Sequence, residues 1–110
     1  MKKIAPLSIA LCSLLAGQAL AAGEPARTSA TKSVAIAGFA FKPATLTVAK
    51  GTKVRWANQD AVPHTATRAG VFTTKRIGAG KAVAIRFDKA GSFRYHCTIH
   101  PQMSGRIVVQ

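Results

Sequence analysis

Acidic residues, cysteines and long apolar runs are all scarce in this chain of 110 residues. Only 3 Asp and Glu stand against 16 Lys and Arg, and the formal net charge is +13. Two cysteines are too few for a disulfide-rich scaffold or an iron–sulfur cluster. Beyond the first 21 residues, no apolar run is long enough to span a bilayer. The length itself allows one domain and leaves no room for a second.

The excess of basic charge has more than one interpretation. Aromatic residues make up 6% of the chain, and no recognition helix or stacking motif is present, which argues against nucleic acid as a partner. The hydrophobic fraction of 48% excludes a disordered basic tail. An acidic partner could be attracted by either of two groups of basic residues, namely Lys50, Lys53 and Arg55, or Lys75, Arg76 and Lys81. The alternative is a basic surface that is merely solvated.

Residues 1–21 have the pattern of a cleavable export signal. Lys2 and Lys3 give a positive start, residues 4–15 are mostly apolar, and Ala19-Leu20-Ala21 is a cleavage site of small residues. An N-terminal membrane anchor is the alternative. It is disfavoured because Pro6 interrupts the apolar stretch and the stretch is short for a bilayer. The pattern therefore predicts export, with a periplasmic location.

Cleavage of that signal would change the cysteine content. Cys12 would leave with residues 1–21, and Cys97 would remain as a single thiol. A lone thiol in an oxidising compartment is prone to oxidation unless it is buried or bound. Residues 22–32 are small and polar, which predicts a flexible N-terminal tail, so the folded domain is predicted over residues 33–110.

The apolar residues of this domain repeat with a period of two rather than 3.6, which indicates strands. No segment has a helical stripe, and turn signals such as Lys50-Gly51 and Ala90-Gly91 separate the alternating runs. About seven to eight short strands at this spacing predict an all-β protein, either an antiparallel sandwich or a small barrel. The alternating apolar positions are Val34, Ile36, Leu46, Val48, Val54, Trp56, Val83, Ile85, Phe87, Phe93, Tyr95, Cys97, Ile107 and Val109.

Residues that bind soft metals cluster near the C-terminus. The segment YHCTIHPQM holds Cys97, His100 and Met103 in a Cys-x2-His-x2-Met pattern, and His64 follows Pro63 far upstream. Thiolate, imidazole and thioether together favour copper, because zinc rarely accepts a thioether. A plane of two histidines and one cysteine with a weak axial methionine is the blue-copper arrangement, which suits an electron carrier.

The segment YHCTIHPQM, together with PHT at residues 63–65 and WANQD at residues 56–60, resembles the plastocyanin/amicyanin branch of the cupredoxins. The short spacing between His100 and Met103 is most similar to that of amicyanins. The resemblance covers about residues 34–109. It implies a Greek-key β-sandwich of two sheets with one type 1 copper ion at one end. It also implies that His64, Cys97 and His100 are equatorial ligands and that Met103 is the axial ligand.

Two positions depart from the pattern of this branch. Thr65 stands where an asparagine usually bonds to the residue after the cysteine, which here is Thr98. That brace is therefore expected to be either weaker or replaced by a hydroxyl pair. Gln102 stands where amicyanins carry an aromatic residue beside the exposed histidine, which argues against the amine-dehydrogenase partnership of amicyanin.

Several other residues receive structural roles. Strand alternation sends His96 to the face opposite Cys97, so it is expected at the surface and not as a ligand. Gly105 is expected to serve the turn out of the ligand loop. Core packing is expected for the aromatic residues, with the first two near the copper end: Phe39, Phe41, Trp56, Phe87, Phe93 and Tyr95.

Three functions are compatible with these features. The first is a periplasmic blue-copper protein, not an enzyme, that passes single electrons between redox partners such as an acidic cytochrome or dehydrogenase, and that acts as a monomer. The second is a periplasmic protein that binds or delivers copper in copper homeostasis. The third, a multicopper oxidoreductase, needs more than the 3 histidines present. A Cys–His hydrolase is disfavoured because no orienting acid or oxyanion motif accompanies the pair.

Overall fold

A computed structural model describes residues 30–110, which form nine strands in two sheets. The predicted export signal and residues 22–29 of the predicted tail lie outside this range. Within it, no helix has the length and hydropathy needed to cross a membrane. The strands are β1 (Thr31–Ala37), β2 (Ala40–Lys42), β3 (Thr45–Val48), β4 (Thr52–Asn58), β5 (Thr67–Arg68), β6 (Phe72–Thr73), β7 (Ala82–Phe87), β8 (Gly91–His96) and β9 (Ser104–Val109).

The strand order is β2-β1-β4-β7 in the first sheet and β3-β9-β8-β5-β6 in the second. The chain changes sheet after β2, β3, β4, β6 and β7, so five of the eight connections between consecutive strands cross from one layer to the other. This confirms the predicted all-β sandwich. Two pairings, β1 with β4 and β3 with β9, are parallel. They are parallel because the partners are joined by crossings through the opposite sheet and not by hairpins.

The first strand begins earlier than the sequence pattern indicated. Thr31 and Lys32 already pair with Lys53 and Val54 of β4, so the tail predicted over residues 22–32 extends two residues too far. Both side chains are exposed. Their place in the sheet depends on backbone pairing, which apolar periodicity does not reveal.

The core lies between the sheets, and every second residue of the longer strands points into it. The predicted alternation is confirmed in β1, β4 and β9, where the inward residues are buried: Val34, Ile36, Val54, Trp56, Ile107 and Val109. Phe41, Phe87 and Tyr95 are buried as expected, and Phe93 packs against them while partly exposed. Val83 and Ile85 are only partly buried, because β7 is the edge strand of the first sheet.

Several connections meet at one end of the sandwich, which we call the site end. It comprises the turn at residues 38–39, the connection over residues 59–66 and the loop over residues 97–103. The strand directions dictate this meeting, because β4 ends at Asn58, β8 ends at His96 and β9 begins at Ser104. Asn58 anchors the second of these segments, since its buried amide Nδ2 donates to the carbonyls of Val62 and Ile77.

Candidate metal centre

Three of the predicted ligands converge at the site end. His64 lies in the connection from β4 to β5, Cys97 directly follows β8, and His100 lies in the loop before β9. The Nδ1 atoms of both histidines are 3.8 Å from Cys97 Sγ, and the three donor atoms lie within 4.8 Å of one another. His64 and Cys97 are fully buried, whereas His100 is partly exposed.

The loop over residues 97–103 is closed by its own backbone. The Cys97 N–H donates to the carbonyl of Met103 over 3.0 Å, and the Met103 N–H donates to the carbonyl of His100 over 2.9 Å. These two bonds fold the Cys-x2-His-x2-Met segment into a tight turn. Met103 is buried in the core cluster beside Cys97. The structure thus brings Met103 to the right loop, and its role as a fourth ligand stays a prediction.

The thiol of Cys97 is bonded from the neighbouring segment. The Thr65 N–H donates to Cys97 Sγ over 3.3 Å, which fixes the position of the sulfur atom. Thr65 Oγ1 lies 3.1 Å from Thr98 Oγ1 and accepts the Thr98 N–H over 3.0 Å. The hydroxyl pair expected at these two positions is therefore present, and it joins the two segments that supply the donors.

Asp60 is part of the site, although the sequence did not identify it. Its Oδ2 lies 2.9 Å from His64 Nε2, the ring nitrogen that faces away from Cys97. Its two carboxylate oxygens also accept the backbone N–H groups of Gly38 and Phe39 over 2.8 and 2.9 Å. A carboxylate on Nε2 keeps the proton there and leaves Nδ1 free to bind a metal.

The pKa of Asp60 reflects these contacts. The hydrogen bond from the Phe39 backbone lowers it most, those from Gly38 and His64 add to the effect, and burial opposes them. The net result is a pKa below the usual value for an aspartic acid. Asp60 is therefore a stable carboxylate at neutral pH, which matches its role as acceptor for His64.

Phe39 covers the histidines from the turn at residues 38–39. Its ring meets the rings of His64 and His100 edge to face, with centroids 5.1 and 4.9 Å away. The residue adopts a φ of 58°, a conformation uncommon outside glycine, and Asp60 holds it there. Phe39 is 46% exposed while Phe41 is buried in the core. The expected core packing is therefore wrong for Phe39, whereas its expected position near the metal is consistent with these ring contacts.

The structure agrees with the expectation for His96 and differs from the expectation for Gly105. His96 lies on the outer face, paired with Thr67 and Ser104, and outside the donor group, as predicted. Gly105 is not a turn residue, because it lies within β9. A Cβ at Gly105 would lie 2.5 Å from the hydroxyl oxygen of Tyr95. The close approach of a buried ring, and not backbone freedom, therefore requires glycine there.

The donor chemistry fits copper. One cysteine sulfur and two imidazoles are present, and the nearby carboxylate bonds to a histidine instead of joining the donors. Thiolate and imidazole suit Cu(I), Cu(II) and Zn(II), while a thioether from the same loop favours copper over zinc. His64, Cys97 and His100 can hold the ion with little rearrangement, since two of the three are buried and fixed by hydrogen bonds.

Comparison with known proteins agrees with this geometry. A family model described as a cupredoxin-like domain matches residues 7–109. The chain is 30% identical to amicyanin-alpha of Methylorubrum extorquens over 102 residues, which is 87% of this chain and 85% of the relative. It is 35% identical to the amicyanin of Paracoccus versutus over 71 residues, 59% of this chain, and spans 54% of that relative's length.

The fold is shared as well as the sequence. The crystal structure of the amicyanin from Paracoccus versutus superposes with a TM-score of 0.67 at 30% identity. The superposition covers 73% of this chain and 81% of the other. The sandwich therefore has a counterpart of known structure.

Proposed function

The chain belongs to the cupredoxin family, and we propose that it carries single electrons between redox partner proteins by cycling one bound copper ion between Cu(I) and Cu(II). The observation that carries this proposal is the convergence of His64, Cys97 and His100 within 4.8 Å. A plane of two imidazoles and one thiolate with a weak axial methionine is typical of blue-copper electron-transfer sites. We assign the axial position to Met103, which the same loop places in the core.

The residues of the site have separate tasks in this function. Bound copper supplies a one-electron couple. Asp60 orients His64, and Thr65 holds both the Cys97 thiolate and the following Thr98. Donors fixed in this way rearrange little between the two oxidation states, which favours fast transfer. His100, partly exposed next to the exposed Pro101 and Gln102, provides the edge through which the electron leaves.

The burial of the site argues for a carrier over a protein that delivers copper. A copper-delivery protein has to release its ion to a partner, and solvent-exposed ligand atoms make this transfer easier. His64 and Cys97 are both fully buried, so an incoming ligand reaches only the His100 side. This arrangement favours retention of the ion while electrons pass.

The same residues also bear on whether the protein is an enzyme. The whole chain has 3 histidines, and two of them belong to the site. One remaining histidine, His96, cannot build a further copper cluster. We therefore place substrate chemistry on the redox partners and not on this chain.

Location and partners follow from the sequence. We propose that residues 1–21 direct export to the periplasm and that the protein acts there as a monomer. Its partners would be soluble redox proteins such as cytochromes or dehydrogenases. Cleavage would remove Lys2 and Lys3 and lower the net charge from +13 to +11. This charge favours acidic partners, because the summed field acts before contact is made.

Loading with Cu(II) tests the function. The copper protein should show intense visible absorption from the thiolate ligand, together with a reversible reduction potential. Cys97→Ala should abolish the absorption, and His96→Gln should leave it unchanged because His96 lies outside the site. A Cys97→Ala protein that remains coloured would contradict the assignment.

Met103→Leu tests the axial position. The variant should keep its copper and its colour and should have a higher reduction potential, because a donor that favours Cu(II) is lost. Loss of the copper would instead make Met103 a principal ligand.

Competition with a chelator separates electron transfer from copper delivery. An electron carrier releases copper slowly, whereas rapid release without a reversible potential would indicate delivery.

A further inference from the structure

Three arginine side chains gather over the second sheet. They are Arg68 of β5, Arg94 of β8 and Arg106 of β9, and we call this surface the arginine face. Two of them, Arg94 and Arg106, lie on the outer face of the sheet, and the exposed Arg68 reaches them from β5. Arg94 and Arg106 are direct cross-strand partners, and the Arg68 side chain reaches the Arg94 carbonyl. We propose that the arginine face is the docking surface for a carboxylate-rich region of a redox partner. This inference rests on the proposed electron-transfer function and names the surface that it uses.

The charge of the arginine face is not neutralised within the described part of the chain. Residues 30–110 contain two acidic side chains, Asp60 and Asp88. Asp60 is engaged with His64 at the site end, and Asp88 pairs with Arg86 next to β7 of the other sheet. Like charges directly opposite each other destabilise a sheet. The arrangement therefore lowers the stability of the free protein, and an approaching anion would relieve the repulsion.

Hydrogen bonds to neutral acceptors orient two of the three guanidinium groups. Nη1 of Arg68 donates to the carbonyl oxygen of Arg94 over 3.0 Å. Nη1 of Arg106 donates to the hydroxyl of Ser92 over 2.9 Å. Each contact fixes a side chain without cancelling its charge. The remaining N–H groups of each fork stay available for carboxylates, which arginine binds through paired hydrogen bonds.

The shape of the arginine face suits a protein surface better than a small ion. Two shallow depressions meet at Arg94 and Ser104, one extending to Arg68 and His96 and the other to Arg106. Arg68 and Arg94 are exposed and Arg106 is partly exposed, so no closed cradle forms around a single anion. Several carboxylates spread over a partner's surface would match this spacing.

The position of the arginine face connects docking with the metal centre. His96, at the edge of the face, directly precedes Cys97, and its strand neighbours are Thr67 and Ser104. A partner seated there lies against the flank of the site end. By contrast, Lys50 is bonded through its backbone to Gln110 at the opposite end of the sandwich. The predicted basic group of Lys50, Lys53 and Arg55 would therefore hold a partner away from the site.

A pair of matched double variants tests the proposal. Arg94→Gln/Arg106→Gln removes two charges from the arginine face, and Lys53→Gln/Arg55→Gln removes two from the exposed outer face of the first sheet. The probes are a synthetic octaglutamate peptide, bound to the metal-free protein and followed by NMR, and an acidic c-type cytochrome, mixed with the Cu(I) protein at low ionic strength. Arg94→Gln/Arg106→Gln should weaken peptide binding and slow the cytochrome reaction, each about tenfold. Lys53→Gln/Arg55→Gln should change each of these quantities less than about threefold.

The conservative variant Arg94→Lys/Arg106→Lys keeps the charge and removes the forked donors. It should fall between wild type and the glutamine variant if paired hydrogen bonds contribute. Thermal unfolding of each variant shows that the sandwich is intact. Peptide-induced amide shifts should concentrate in β5, β8 and β9. Equal losses in both glutamine variants, or shifts spread over both sheets, would overturn the proposal, because bulk charge would then explain the binding.

Two other outcomes separate this inference from the proposed function. If the copper protein exchanges electrons with the cytochrome at the same rate in wild type and in Arg94→Gln/Arg106→Gln, the docking surface is wrong and the carrier function stands. If the peptide binds the arginine face but the copper protein has no reversible potential, the carrier function fails instead.

Inorganic phosphate is the remaining control. Phosphate binding as tight as that of the peptide would indicate a small-anion site and overturn docking.

Discussion

A single carboxylate, that of Asp60, combines two structural tasks at the site end. It bonds to Nε2 of His64, a proposed copper ligand, and holds the positive-φ turn at Gly38 and Phe39 through two backbone N–H groups. The same turn places the Phe39 ring against His64 and His100, the two proposed histidine ligands. The orientation of the donors and the shape of their cover therefore depend on one side chain.

Replacement of Asp60 should affect metal affinity and stability together. In Asp60→Ala the Nε2 proton of His64 loses its acceptor, and the Nδ1 tautomer competes with metal binding. We expect copper affinity to fall roughly 10–100-fold, as is usual for partners of ligand histidines, and stability to fall by about 1–3 kcal/mol. Copper competition titrations measure the affinity, and denaturant unfolding of the metal-free protein measures the stability. NMR of the His64 tautomer in the metal-free protein checks the cause.

The second described acid provides the control for Asp60. Asp88→Ala removes the same charge, but Asp88 is 66% exposed and pairs with the surface residue Arg86, and such surface pairs contribute little. Copper affinity should not change in this variant. Equal losses of affinity in the two variants would mean that net charge, and not the contact with His64, is responsible.

The one tyrosine of the chain gives a pH-dependent prediction. Burial raises the pKa of Tyr95 to about 12, and the hydrogen bond from Trp56 opposes this shift only in part. The phenol ionises near pH 10 in an unfolded chain, and the raised pKa in the folded protein adds about 3 kcal/mol to the free energy of unfolding. This stabilisation is complete below pH 10 and is lost as the pH rises from 10 to 12. Ultraviolet titration should show no tyrosinate in the folded protein at pH 10, and tyrosinate should appear together with unfolding above that value.

The variant Tyr95→Phe checks this interpretation. It should be less stable at neutral pH by about 1–3 kcal/mol, because the Trp56 indole N–H loses its acceptor. Its stability should fall less steeply between pH 10 and 12. A wild-type protein with free tyrosinate at pH 10 and native ellipticity would show that Tyr95 is not shielded by the fold.

At the scale of elements, apolar alternation was a sufficient guide to the longer strands. It identified the inward positions of β1, β4, β8 and β9, because these strands bury one face. It did not reveal β5 and β6, which have two residues each, or the parallel direction of two pairings. Alternation reports which face is buried and says nothing about the neighbouring strand.

The residues of the metal site were predictable from the sequence to a similar extent. Ligand chemistry and spacing identified the donors that converge, because Cys97 and His100 share one short loop and His64 follows a stiff turn. Asp60 and the cover by Phe39 were not predictable. They depend on how the turn at residues 38–39 packs against residues 59–64, which is a tertiary contact without a sequence pattern of its own.

The brace between the two donor segments gives a prediction for these elements. Thr65→Val keeps the backbone N–H that bonds Cys97 Sγ but removes the Oγ1 atom that accepts the Thr98 N–H. We expect the Thr98 amide to exchange with solvent at least about fivefold faster, since the loss of this partly buried hydrogen bond costs about 1–3 kcal/mol. Hydrogen exchange followed by NMR measures this rate.

Thr67→Val is the matched control for the brace. Thr67 bonds Thr65 and Thr73 through its hydroxyl and makes no bond to Thr98. Its replacement should leave exchange of the Thr98 amide within about threefold of wild type. If Thr67→Val accelerated exchange as much as Thr65→Val, general loosening of β5 would explain the effect and the specific brace would be ruled out.

At the scale of the whole molecule, the donor set joins the two layers of the sandwich. His64 lies where the chain crosses from β4 in the first sheet to β5 in the second, while Cys97 and His100 lie between β8 and β9 of the second sheet. A metal held by all three therefore fixes this crossing to the β8–β9 loop. Since the unfolded chain does not preserve such a site, binding energy adds to folding stability.

Copper should consequently raise the melting temperature of the domain by a large amount. Free copper at about 1,000 times its Kd adds about 4 kcal/mol, and each kcal/mol shifts the melting temperature of a domain this small by about 4–8 °C. The expected rise is therefore roughly 15–30 °C, measured by calorimetry with and without copper. Cys97→Ala should lose most of the rise, because two histidines alone bind weakly, whereas Met103→Leu should keep most of it. An equal rise in wild type and Cys97→Ala would place the stabilising copper at another position, such as the surface residue His96, and would contradict the link between the layers.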